Sequence, residues 1–317
     1  MAAYRFAVPA LLLAFAPLPA NAAHCTMSAD DRAWLEQALA QWQATETSVL
    51  HLPAQPLPMI VAADGACTYS LPAGDFAALT ATPHGETVTF PDGGEAPVGP
   101  ISFASGEAGY FAMSLPSVWR AAGVGSDFGL ERLMTGVLLH EMMHIRQTGL
   151  AKAALAGVPE ALGIPDDELT DDIVQQRFSA DPDYVAAYEA ERYKFYAAAE
   201  AESDEDARRL AGEGLALMRE RRARFFTGRN AGFAQLDDVF LTMEGMGQLL
   251  IYRYFRSFEE YGPAVEGVRR GGKWWSQDEG LAVMLVVDRL LPDWQERAFR
   301  EPDWRAENLL AAALQPQ

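Results

Sequence analysis

The sequence predicts an α+β fold that is mostly α, with a small antiparallel sheet in the N-terminal part and a large helical C-terminal part. Three observations lead there. Residues 50–116 are rich in Pro and Gly and carry short β-prone runs separated by turn signals such as Asp92-Gly93-Gly94. After Gly149 the chain becomes a series of long stretches with apolar residues at 3–4 spacing. Between these regions Leu130, Leu133, Met134, Val137 and Leu138 form a helical stripe. Carried forward, that stripe runs through Glu141, His144 and Ile145.

Taken in order, residues 1–22 have the make-up of a secretory signal. Arg5 supplies the positive start, and 6–19 is an apolar run broken by Pro9 and Pro17 and too short to span a bilayer. Ala20-Asn21-Ala22 is a small-x-small cleavage site, so the mature chain is expected to begin at Ala23. No later segment has 18 uninterrupted apolar residues, so no stable membrane insertion is expected. Cys25 lacks the preceding Leu and small residues of a lipidation site, and the expectation is an exported protein, periplasmic or secreted. Residues 23–317 read as a single domain, with helix plus sheet over 23–125 and helices over 126–317.

The only two cysteines, Cys25 and Cys67, are expected to form one disulfide in an oxidising compartment. The net charge of −19, from 25 Lys+Arg against 44 Asp+Glu, argues against nucleic acid or an anionic membrane surface as partner. Most of the acids fall on helix-surface positions, where they serve solubility.

The first helix is expected over 28–47, capped by Ser28 and striped by Trp34, Leu35, Leu39 and Trp42. Strands are expected at 59–62, 68–71, 86–90, 101–104 and 110–115, and a short helix at 118–122 ends at Gly123-Val124-Gly125. Later helices are expected at 166–178, 182–201, 204–226, 234–261, 277–291 and 302–314. Asp181-Pro182 and Ser203 with Asp206 are helix-start signals. Tyr184, Tyr188, Tyr193 and Tyr196 recur along one helix and read as packing.

The stretch that carries chemistry is His140-Glu141-Met142-Met143-His144, the pattern H-E-x-x-H. On a helix the two histidines lie one turn apart on one face, where their ring nitrogens can share one metal ion, here zinc. Glu141 projects to the same side and can take a proton from a metal-activated water. An imidazole and a carboxylate on an inward-facing stripe are costly to bury unpaired, and a metal is the simplest partner. Zinc needs a third protein ligand. His24, His51 and His84 all lie upstream and no histidine follows the motif. The third ligand is therefore expected to be a carboxylate on a later helix.

H-E-x-x-H followed by a Glu-Gly pair on a downstream helix resembles the gluzincin metallopeptidases of the peptidase MA group. The resemblance rests on these short motifs and their order. It implies a zinc-dependent peptidase that acts on a peptide or protein substrate with Glu141 as general base, and an edge strand at 110–115 that holds extended substrate. Two stretches match its second half, Phe240-Leu241-Thr242-Met243-Glu244-Gly245 and Trp275-Ser276-Gln277-Asp278-Glu279-Gly280-Leu281-Ala282.

Glu244 is favoured as third ligand, because Gln248 one turn on is placed to bond the outer nitrogen of a ligand histidine and Gly247 permits close packing. Glu279 is the alternative. Its E-G-L-A wording is the closer match, but Ser276 and Glu279 also read as a capping box. These glutamates follow His144 by about 100 and about 135 residues, more than is usual for the family, which implies a helical insertion at roughly 155–233. Tyr252, Arg253 and Tyr254 are candidates for a donor to a developing oxyanion. Arg146 and Gln147 are expected to supply a helix C-terminal charge and a ligand-orienting bond. Two other readings are a zinc-stabilised, non-catalytic binding or scaffold protein and a metal-free helical domain with an accidental motif. Glu141 argues against the former, since a structural site needs no base.

Overall fold

The computed structural model describes residues 25–165, 168–258 and 264–315. The signal-like stretch 1–22 lies outside the described residues. The fold is α+β and mostly α, with a small N-terminal sheet and a large helical C-terminal part. It divides into two compact units, one running to Arg146 and one from Gln147.

The N-terminal unit opens with α1 (Ala29–Ser48), whose cap is Ser28, the side chain accepting from the Asp31 amide at 3.1 Å. Strands β1 (Met59–Ala63), β2 (Cys67–Leu71), β3 (Thr80–Pro83), β4 (Thr87–Thr89), β5 (Glu95–Pro97), β6 (Ser102–Ser105) and β7 (Tyr110–Ser114) follow, then α2 (Pro116–Ala121) and the first part of α3 (Leu130–Ala154). Five strands form one sheet in the order β3-β2-β1-β7-β6, and β4 and β5 form a separate hairpin.

The sheet departs from the antiparallel expectation in one pairing. β7 lies parallel to β1, Met59 opposite Tyr110 and Ala63 opposite Ser114, while every other pair in the sheet is antiparallel. A parallel pair needs a long crossover, and here the crossover consists of the strands β2 to β6 instead of a helix. Both faces of β7 are buried, which is why it reads as an unbroken apolar run, Tyr-Phe-Ala-Met. On one face Phe103, Tyr110 and Ala112 pack under Val88 and Phe90 of the hairpin region, with the Phe90 ring edge-on to Phe103 at 4.8 Å.

Along the helices, Trp34 of α1 donates its indole N–H to the Glu131 carbonyl and to the Thr135 hydroxyl. Twelve residues on, the fully buried Glu46 takes the Arg146 guanidinium. Two contacts in the same sequence order on both helices mean that α1 and this part of α3 run side by side in the same direction. Arg146 therefore ties α3 to α1. It does not sit at a helix C-terminus, because α3 continues unbroken to Ala154.

The C-terminal unit takes the rest of α3, then α4 (Val158–Leu162), α5 (Ile173–Phe178), α6 (Pro182–Ala199), α7 (Asp204–Phe225), α8 (Phe233–Arg256), α9 (Ala264–Arg269), α10 (Trp275–Leu290), α11 (Trp294–Arg297) and α12 (Ala306–Ala313). The expected caps form: Asp181 accepts from the Asp183 and Tyr184 amides, and Ser203 from the Asp206 amide. Tyr184 and Tyr188 both stack on Trp275, and the Tyr196 hydroxyl donates to Asp278. Tyr193 departs from the packing expectation, being 72% exposed.

α8 and α10 cross with glycine against glycine. A Cβ on Gly280 would lie 2.6 Å from the Leu241 carbonyl oxygen and 2.7 Å from the Gly245 nitrogen, and one on Gly245 would run into the Gly280 backbone. α12 begins without a side-chain cap of its own. Its Ala306 amide is accepted by the Thr242 hydroxyl at 2.7 Å, and its Glu307 amide by Asp238 at 3.1 Å, both from α8. Among the described residues no helix is long and apolar enough to cross a membrane.

Cys25 and Cys67 form the expected disulfide, 42 positions apart, tying the start of the described chain to β2. Closing a loop of that size stabilises the fold by about 4 kcal/mol on the chain-entropy model. Urea unfolding of the N-terminal unit with and without reductant is expected to show a loss of that order, reproduced by Cys25→Ser without reductant.

Candidate metal centre

The site is built on α3. Met134, Leu138, Leu139, Met142 and Met143 are all buried, and the same turns bury His140, Glu141 and His144. Helical spacing sets the two imidazoles one turn apart, as the motif requires. Their Nε2 atoms stand 2.9 Å from each other and the rings meet at 90°. Two nitrogens, each about 2.0–2.1 Å from a tetrahedral zinc, would stand about 3.3 Å apart, so the pair needs only a small ring rotation to share an ion.

His140, His144 and Glu244 are the one group of potential ligands among the described residues whose atoms all lie within 4.8 Å of one another, and all three are buried. A His/His/carboxylate donor set of this kind, removed from bulk water, fits a divalent cation. Glu244 comes from the middle of α8. Next to the motif, Gln147 Nε2 reaches the Met246 sulfur at 3.3 Å and faces the Thr242 carbonyl at 3.5 Å. Those two residues bracket Glu244 in sequence.

Gln248 does not play its expected part. Its Nε2 donates to Gln277 Oε1 at 2.7 Å, and Gln277 Nε2 in turn donates to Glu244 Oε2 at 3.1 Å. The amide pair therefore addresses the glutamate and leaves the histidines alone. Gln277 escaped sequence reasoning because it sits on a different helix, two residues from the rival Glu279, with no local pattern to mark it.

Glu279 lies elsewhere. Two residues past Gln277 is a turn of about 200°, so it emerges from the opposite side of α10. There Arg221, fully buried, bonds Glu191 at 2.6 Å and Asp237 at 3.0 Å, donates to the Tyr184 hydroxyl, and approaches Glu279 at 3.7 Å. Burial and the nearby Glu191 push the Glu279 carboxyl well above its usual range, against the pull of Arg221.

The capping-box reading of Ser276 also fails. α10 starts one residue earlier, at Trp275, whose amide donates to Gln175 Oε1 at 3.0 Å, so the serine lies inside the helix and caps nothing.

Asp172 is a second residue the sequence did not reveal. Burial and the charge of Glu244 push its carboxyl up to about 6, partly offset by Lys273. Of the oxyanion candidates, Arg253 is engaged by Asp288 and Tyr254 packs on Phe255 and Phe258. Tyr252, eight residues past Glu244, is turned about 80° from it on α8. The expected substrate-holding edge at 110–115 is corrected: β7 is flanked by β1 and β6, so its backbone is already used within the sheet.

No protein-family model, no curated protein and no solved structure matches this chain.

The two Glu-Gly sequences can be told apart by experiment. Glu244→Gln is expected to weaken metal binding by at least 10-fold, and Glu279→Gln to leave it unchanged, in a chelator-competition titration. Because the folded-state pKa of Glu279 is raised, its contribution is present in acid and is lost as pH rises through that value. Glu279→Gln is thus expected to flatten the decline of unfolding free energy as pH rises above the usual carboxylate range, read by urea titration across pH. Gly245→Ala is expected to cost about 1–3 kcal/mol by overpacking the α8–α10 crossing, and to weaken metal binding as Glu244 shifts with its neighbour.

Proposed function

We propose that this chain is an exported zinc-dependent peptidase. One observation carries the reading: His140, His144 and Glu244 gather into a buried potential ligand set, with Glu141 adjacent to the first of them. The order of H-E-x-x-H and a later Glu-Gly, which resembles the gluzincins, supports it. Export is supported by the signal-like start of the sequence and by the disulfide, a bond that persists in oxidising compartments.

On this reading His140 and His144, as neutral imidazoles, and Glu244, as a carboxylate, hold one zinc ion. Once bound, the ion would supply Lewis acidity toward water and a substrate carbonyl. Glu141 is the base that takes the proton from the attacking water and the acid that returns it to the leaving amine. The donor set is enclosed, so the charges act in a medium of low dielectric where their effect on the reacting bond is strong.

Metal analysis of the purified protein is expected to find one zinc per chain, lost in His140→Ala. Glu141→Gln is expected to keep the zinc and lose about 10²–10⁴-fold in peptide hydrolysis. Hydrolysis unchanged in that variant would remove the catalytic part of the reading and leave a zinc-stabilised scaffold. A protein that takes up no divalent metal would remove all of it.

A further inference from the structure

We infer that Gln277 is a positioning residue that fixes Glu244 as a one-oxygen ligand, and that Gln248 sets its orientation. The inference rests on the metal reading above and deepens it. The hydrogen bonds have a forced direction. A carboxylate ligand can only accept, so the Gln277 amide must turn its NH₂ toward Glu244 Oε2, 3.1 Å away. That leaves Gln277 Oε1 facing the other way, where it needs a donor. Gln248 supplies one at 2.7 Å, from one turn further along Glu244's own helix.

The relay therefore runs from α8 to α10 and back to α8, and it closes across the glycine contact of Gly245 with Gly280. Neither amide can flip alone without setting two like groups against each other. Gln248 is 2% exposed, and so is held by packing as well. With Oε2 engaged by an N–H donor, Glu244 offers the ion its other oxygen. One-oxygen ligation keeps the coordination number at three protein atoms, the arrangement that leaves a place for solvent or substrate. A carboxylate released from Gln277 would be able to turn and bind through both oxygens, closing that place.

Cobalt(II) reads this directly, because its visible absorption is strong in four-coordinate sites and weak when further oxygens bind. Metal-stripped protein titrated with Co²⁺ is expected to give a strong band in the wild type. Gln277→Leu is expected to bind about 10–100-fold more weakly, with a weaker band per bound ion.

Gln248→Met, which leaves Glu244 and Gln277 in place, is expected to show a smaller change in the same direction, and circular dichroism confirms the fold of each variant. Wild-type affinity and an unchanged band in both Gln277→Leu and Gln248→Met would overturn the positioning role while leaving the metal site standing. No cobalt uptake by the wild type would overturn both together.

Discussion

The contact on which most of the helical unit depends is the crossing of α8 and α10 at Gly245 and Gly280. No side chain separates the two backbones there. That closeness lets two short amides, Gln248 and Gln277, reach each other and Glu244. It also divides the carboxylates. Glu244 is served by amides on one side of the crossing, and Glu279 faces Arg221 on the other. Each glutamate stands directly before one of the glycines, so the repeated dipeptide is a packing device first, and only one copy is placed for ligation.

The two glutamates show how environment assigns roles to identical residues. Glu279 shares a closed interior with Glu191, Asp237 and two arginines, and burial with like charge holds it toward its neutral form. Such a carboxyl is a poor ligand for a cation that would also have to share space with a guanidinium. Removing one member of this cluster would leave an uncompensated charge in the interior, so its value lies in mutual satisfaction. Next to it is a small, partly open cavity of about 20 Å³, room for about one water, lined by residues that include Trp275, Tyr184, Tyr188 and Glu279. The interior here is polar, aromatic and tightly filled.

Much of this was legible in the sequence where the physics is local. Ser28, Asp181 and Ser203 start their helices as their side chains suggest, the two cysteines pair, and the stripe through Leu138 and His144 is an inward-facing helix surface. What was not legible depends on partners distant in sequence. The parallel pairing of β7 with β1 follows from topology, and no pattern within 110–115 announces it. Ser276 resembles a cap in isolation, but Gln175 has already satisfied the first amide, and Trp275 is drawn into the helix by its stacking on two tyrosines. Choosing between Glu244 and Glu279 required knowing where arginines 58 and 57 residues before the second glutamate would fold back.

The start of α12 has a wider consequence. Its leading amides rest on a hydroxyl and a carboxylate belonging to α8, at Thr242 and Asp238, just ahead of Glu244. The tail of the chain is thereby wired to the segment that carries the candidate ligand. Clipping or displacing that tail would take a backbone donor from each of two buried side chains a short step from the glutamate, so damage at the carboxyl end would be felt in the heart of the helical unit.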